Sequence, residues 1–227
     1  VNPYVVLAAA AAAWDRFAAR LTGPPRDRLA ELLAVVRRRG AAETERREAA
    51  ERAAELLRER FPEEFGGGPD ARLAGGLLDV VADTDPHPAY RGFSAEDFAV
   101  LLMDGHRMVG PVLGPVRERL LAEPAWDADA LARQGGDPEL PALIRLPGEG
   151  GRRRLPRFQF DLDGDEAAAR PVVLEVNAYL AADRDPWGAA DWWLSDNAWL
   201  GTRPARLLGA GKDRQLADTA RLLMEEG

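Results

Sequence analysis

The sequence contains no cysteine, which excludes disulfide staples, thiolate nucleophiles and zinc–thiolate sites together. Lysine is nearly as scarce: Lys212 stands alone and arginine supplies the rest of the basic charge. That usage reads as the coding bias of a G+C-rich genome, not as selection for phosphate recognition. His87 and His106 are the only histidines. Neither belongs to a HExxH helix, and no GxSxG elbow offers a serine nucleophile. Acidic pairs such as Glu63-Glu64 and Glu225-Glu226 fall at expected element ends, with no cleft to make them acid and base. No catalytic residue, metal ligand or cofactor site is therefore assigned, and the chain is not expected to be an enzyme. Long apolar runs are missing too. The longest, Tyr4 to Trp14, is too short to span a bilayer and lacks the basic lead of a secretory signal. A cytoplasmic protein without a membrane span is expected.

What is present suits a helical protein of one large or two small domains. Hydrophobic residues make up 46% of the 227, enough to build cores. Much of that fraction is alanine, which favours close helix packing over a bulky core. Acidic residues outnumber basic ones, giving a net charge of −8, which argues against broad binding to nucleic acid.

Along the chain, Pro3 opens an alanine-rich helix expected to end near Leu21, where Gly23-Pro24-Pro25 breaks it. A second helix from about Arg26 carries Leu29, Leu32, Leu33 and Val36 on one side. Arg37-Arg38-Arg39 then place cations at its C-terminus, where the macrodipole favours them. A third, about Ala41 to Arg60, lines up Ala50, Ala53, Ala54, Leu57 and Phe61. A helical hairpin or three-helix unit is the natural expectation, and a coiled-coil homo-oligomer is the alternative use of that stripe. Gly66-Gly67-Gly68-Pro69 lacks a following Gly-Lys-Ser/Thr and reads as a connection, not a phosphate cradle. A helix is expected over Ala71 to Val81, then a turn at Asp85-Pro86-His87-Pro88. Ser94 and Asp97 have the spacing of a capping box, opening a helix expected to run through Phe98, Leu101, Leu102 and Met108. Helices over Val112 to Leu121 and Asp127 to Arg133 follow. The last has some flavour of a helix-turn-helix but is acidic where a recognition helix would meet the DNA backbone, so helical scaffold is the preferred reading.

Beyond the break at Gly135-Gly136-Asp137-Pro138, Leu143 to Pro147 reads as a short strand or extended arm. Arg152-Arg153-Arg154 is either solvated charge or a contact for an acidic partner or phosphate. Two readings stay open for the next stretch. Phe158-Gln159-Phe160 pairs with Val172-Val173-Leu174 as a short β-hairpin, or Val172 to Leu180 forms a helix. Asp161-Leu162-Asp163-Gly164-Asp165 looks like a calcium loop. However, the glycine and bidentate acid that loop requires are replaced by Glu166 and Val172, so a solvated turn is expected.

The chain is organised around Asp185 to Gly211, DPWGAADWWLSDNAWLGTRPARLLGAG, which holds four of the six tryptophans. Asp185 is a helix cap and Pro186 fits the first turn. On the wheel, Trp187, Ala190 and Leu194 share one face, while Ala189, Trp192 and Trp193 take nearly the opposite one. A surface helix shows a single apolar stripe, so the second must be covered, by the rest of the chain or by a partner.

These phrases, with PRFQFD at Pro156 to Asp161, PVVLEVNAYL at Pro171 to Leu180 and a charged amphipathic C-terminal helix, resemble the toxin-binding domain of Xre/MbcA/ParS antitoxins. The resemblance covers about the last third of the chain. It departs at Gly201-Thr202-Arg203-Pro204, where the family more often reads Gly-Gly-Arg-Thr-Pro. It implies a non-catalytic antitoxin of a type II toxin–antitoxin system that binds and neutralises a RES-domain, NAD-degrading toxin, with the C-terminal segment near the toxin's active-site entrance. It favours the helical reading of Val172 to Leu180.

The expected protein is mainly α, with a multi-helix N-terminal module over 1–61, a middle helical region over 62–153 and a small C-terminal helical domain over 154–227 holding the short β-hairpin. The partner-binding candidates are Trp192, Trp193 and Trp199 as anchors, with Leu200 and Leu207 beside them and Asn197, Arg203 and Arg206 for polar register. Some of these must also build the fold. Two other roles compete: a DNA-binding autoregulator, and a scaffold that reuses the toxin-binding-like domain.

Overall fold

The computed structural model describes residues 2–66, 89–162 and 166–225. The helix expected over Ala71 to Val81, the turn with His87 and the middle of the calcium-like loop lie outside these residues. The protein is mainly α with small sheets of three and two strands. Its backbone packs as two units, Val1–Pro115 and Val116–Gly227.

In the N-terminal unit, α1 (Pro3–Ala12) starts where Asn2 accepts the Tyr4 amide on its side-chain oxygen at 3.0 Å, with Pro3 in the first turn. Every residue from Val5 to Ala11 is buried. A helix apolar all round belongs inside a core, and the run of alanines lets neighbours approach it closely. α2 (Trp14–Phe17) follows after a break at Ala13, and the expected single helix therefore becomes two. Gly23, at φ 64°, makes the turn into α3 (Pro24–Arg37), whose Leu29, Leu32 and Leu33 are buried. α4 (Glu43–Arg60) buries Ala49, Ala50, Ala53, Ala54 and Leu57 against α1 and α3, so its apolar stripe is used within the unit.

After α5 (Pro62–Phe65), the reciprocal capping box is present at α6 (Ala95–Ala99). The Asp97 amide donates to Ser94 Oγ at 3.2 Å, and the Ser94 amide donates to Asp97 Oδ2 at 2.9 Å. α6 widens into one π-helical turn, Val100–Asp104, and stops there, short of the expected Met108. Gly105 ends it in the left-handed conformation, φ 71°, its amide donating to the Val100 carbonyl at 3.1 Å, and two arginines hold that end. Arg26 donates to the Leu102 carbonyl at 3.0 Å, and Arg37 grips the nearly buried Asp104 with both terminal nitrogens, at 2.8 and 3.0 Å. Arg37 also pairs with Glu96 at 2.9 Å, so it ties α3 to α6 instead of merely facing the end of its own helix. Phe17, fully buried, sits between the rings of Phe61, Phe65 and Phe98 at 5.0, 5.4 and 6.3 Å.

This core joins α1–α5 to α6, across the boundary expected after residue 61. The unit ends at Pro115, which lies inside α7 (Gly110–Ala122), a position where proline removes a helical hydrogen bond.

In the C-terminal unit, β1 (Ala125–Trp126) leads to α8 (Ala128–Arg133), capped by Asp127, whose Oδ1 accepts the Ala130 amide at 2.7 Å. β2 (Leu146–Pro147) and β3 (Arg153–Pro156) form a hairpin, and β1 pairs on the other side of β3, giving the antiparallel order β1-β3-β2. Only Leu146 and Pro147 of the expected 143–147 strand pair. β3 lies at the boundary expected after residue 153 and pairs with two strands upstream of it, so the C-terminal unit is larger than the sequence suggested. β4 (Phe160–Asp161) pairs with β5 (Ala168–Ala169). The hairpin thus exists, but its second strand lies earlier than Val172-Val173-Leu174. Those residues sit in α9 (Pro171–Tyr179), because Pro171 with its fixed φ starts a helix there. α10 (Pro186–Leu194) and α11 (Asp213–Glu225) complete the unit, α11 packing on α9 through Leu216, Thr219 and Ala220.

Candidate partner-binding surface

Both stripes of α10 are buried within the chain: Trp187, Ala190 and Leu194 on one side, Ala189 and Trp193 on the other, with Trp192 half-buried. Asp185 caps the helix, its Oδ1 accepting the Gly188 amide at 2.9 Å. At the far end Arg119 of α7 forms an ion pair with Asp191 and donates to the Leu194 carbonyl at 3.3 Å and to Ser195 Oγ at 3.1 Å. A cation is well placed there, against the negative end of the helix dipole.

Trp193 is 0% exposed. Its indole Nε1 donates to Asn177 Oδ1 at 2.8 Å, and the Asn177 amide donates to the Ala142 carbonyl at 2.7 Å and to Gln159 Oε1 at 3.2 Å. Gln159 in turn donates to the carbonyls of Ile144 and Pro156, at 3.1 and 3.2 Å, and accepts the Ile144 amide at 2.7 Å. Both polar residues are wholly buried. Burial is affordable only because these groups satisfy one another. The network fastens α10, α9, the end of β3 and the 142–144 segment into one body. It also explains three of the sequence phrases at once, since Gln159, Asn177 and Trp193 are their buried polar links. Trp193 is therefore a core residue, which corrects its assignment as a partner anchor. Trp192 stands edge-on to Trp193, ring centres 5.1 Å apart, and its buried Nε1 has no acceptor among the described residues.

The remaining candidates gather on the segment after α10. Asn197 Oδ1 accepts the amides of Trp199 and Leu200 at 3.0 and 3.1 Å. Asn197 and Thr202 close the loop as an antiparallel bridge, and the Gly201 amide donates to the Asn197 carbonyl at 2.8 Å. Gly201 takes φ 69°, which a side chain would strain. The result is a small braced loop that presents Trp199 with 59% of its surface exposed. Asn197 thus holds the loop together. Arg203 lies 3.8 Å from Asp196, and buried Pro204 starts a 3₁₀ turn, Pro204–Leu207, that leaves Arg206 exposed and Leu207 half-buried, as is Leu200 before it.

An open depression of about 360 Å³ shares this turn, lined by Arg157, Phe158, Phe160, Leu162, Arg170, Ala205 and Leu208. In the sequence, Phe158, Phe160 and Leu162 read as hairpin and loop residues, and none of the seven is given a binding role. The signal was the basic residue between Pro156 and Phe158, in a chain of net negative charge. Among the described residues, no group of three or more histidine or acidic side chains is placed to hold a metal ion. Nor, among them, is any helix long and apolar enough to cross a membrane. No protein-family model, curated protein or solved structure matches the chain.

Proposed function

We propose that the protein is a non-catalytic antitoxin whose C-terminal unit binds and neutralises a RES-domain, NAD-degrading toxin in the cytoplasm. The observation that carries this reading is the division of labour among the tryptophans. Trp193 locks the core, while Trp199 is held out to solvent on a loop braced by Asn197. Exposing a rigid indole gives the isolated protein nothing, whereas a preformed aromatic anchor is what a protein interface uses. The resemblance of the same phrases to the antitoxin domain supplies the partner class.

The test is to isolate the native complex, identify the partner and measure NAD consumption by that partner with and without this chain. A RES-type partner whose activity is suppressed by the chain is expected. Trp199→Ala is expected to weaken capture by roughly 30-fold, the size of an interface hot spot, while leaving circular dichroism unchanged. A partner that consumes no NAD, or capture indifferent to Trp199, would sink the reading.

A further inference from the structure

The depression beside the Trp199 loop reverses the charge of its host. The chain carries −8, yet this hollow is flanked by Arg157 and Arg170 over an apolar lining. The Arg157 guanidinium lies 4.8 Å from the Trp126 ring centre, and among the described residues no carboxylate pairs with it. Stacking holds it in place without neutralising it. Arg170 is anchored by donating from Nε to the Phe160 carbonyl at 3.2 Å, with Asp161 3.5 Å from Nη1. Beside these cations Leu162 is 47% exposed, and Leu208 and Ala205 offer further aliphatic surface.

The geometry points to a docking site for an acidic peptide segment that brings an aliphatic side chain into the hollow and carboxylates to Arg157 and Arg170. Charge complementarity selects an anion, and the lining selects a peptide over a nucleotide. Phe160 is almost wholly buried, and Phe158 is packed on Trp193 with ring centres 5.4 Å apart. Neither ring is free on both sides to clasp a base, whereas Leu162, Ala205 and Leu208 give the hollow an aliphatic lining. The inference rests on the C-terminal unit being the protein-binding part, as proposed above, but not on the partner being a toxin.

The experiment is calorimetric titration of the full chain with capped peptides carrying glutamates around a central leucine. The same peptides with glutamine for glutamate, ADP and inorganic phosphate serve as competing probes. The acidic peptide is expected to bind, and to weaken with added salt because its contacts are exposed. Arg157→Gln should cost about fivefold, the upper range for one exposed ion pair, and the glutamine peptide, which loses both pairs, should cost more. Leu162→Glu, at an exposed position that leaves the core alone, should repel the peptide further. Equal binding of the acidic and glutamine peptides, preference for ADP or phosphate, no binding of the acidic peptide, or indifference to both variants would each overturn the docking site. If the chain still suppresses a RES-type partner in any of those cases, the hollow is wrongly assigned and the antitoxin reading survives. If acidic peptides bind but no such partner is found, the reverse holds.

Discussion

Adjacent tryptophans on α10 meet different fates because one has a partner for its N–H and a place in the core. Trp193→Phe keeps most of the bulk but leaves Asn177 Oδ1 facing a dry core without its 2.8 Å donor. An orphaned buried acceptor costs about 1–3 kcal/mol, so the midpoint of urea unfolding for the C-terminal unit is expected to fall accordingly. Trp199→Ala, at an exposed position, should stay within about 0.5 kcal/mol by the same measurement. Equal losses at the two sites would contradict the separation of core and surface drawn here. Tyr4 adds a pH-dependent contribution in the other unit. Burial, then its 3.1 Å hydrogen bond to Glu43 Oε1 and that carboxylate's charge, push its phenol up from 10.0 to about 12. The folded value lies above the unfolded one, so this stabilisation is complete below about pH 10 and is lost as pH climbs through about 12. Alkaline unfolding of Tyr4→Phe beside the wild type should show the variant losing less stability across that window.

At the scale of elements, the legible parts were those whose cause is local. Asp185 and Pro186 start α10, Gly23-Pro24-Pro25 marks the break before α3, which begins at Pro24 and not at the expected Arg26, and Ser94 with Asp97 caps α6, each within a few residues of chain. Replacing Ser94 by alanine removes one side of the box and should destabilise the N-terminal unit by about 1 kcal/mol in a denaturant titration; no change would mean the box is ornamental. The misread parts have mixed causes. The helical run ends at Asp104 because Gly105 turns left-handed there, a local stop that was overlooked, while Arg26 and Arg37, many residues earlier, hold its last turn in place. The second strand of the β4–β5 hairpin is Ala168–Ala169, two alanines that carry little β preference, while the valines that looked like a strand follow a helix-starting proline. The candidate site divides in the same way. The exposed Trp199 loop could be anticipated from its turn residues, but the role of Trp193 depends on Asn177 and Gln159, which only the fold brings near.

For the whole molecule, the domain boundary was the least legible feature, since β3 completes a sheet begun at Ala125, far upstream in the chain. The enlarged C-terminal unit now contains α8, the segment with a helix-turn-helix flavour. Its Leu131 is buried in the small core beside β1 and β3, Asp127 caps it and Asp129 lies in its first turn. A recognition helix must instead lay polar and basic side chains along the major groove. The net charge of −8 also works against the counterion-releasing contacts from which most duplex affinity comes. Fluorescence anisotropy with labelled duplex, including the DNA upstream of the chain's own coding sequence, is therefore expected to show no binding at micromolar protein, even at low salt. Tight binding that weakens steeply as salt rises would restore the autoregulator, because that slope counts phosphates neutralised by basic side chains. It would then locate the DNA contact on arginine-rich surface elsewhere than α8, since α8 spends its one large apolar residue on the core and presents acid at its start.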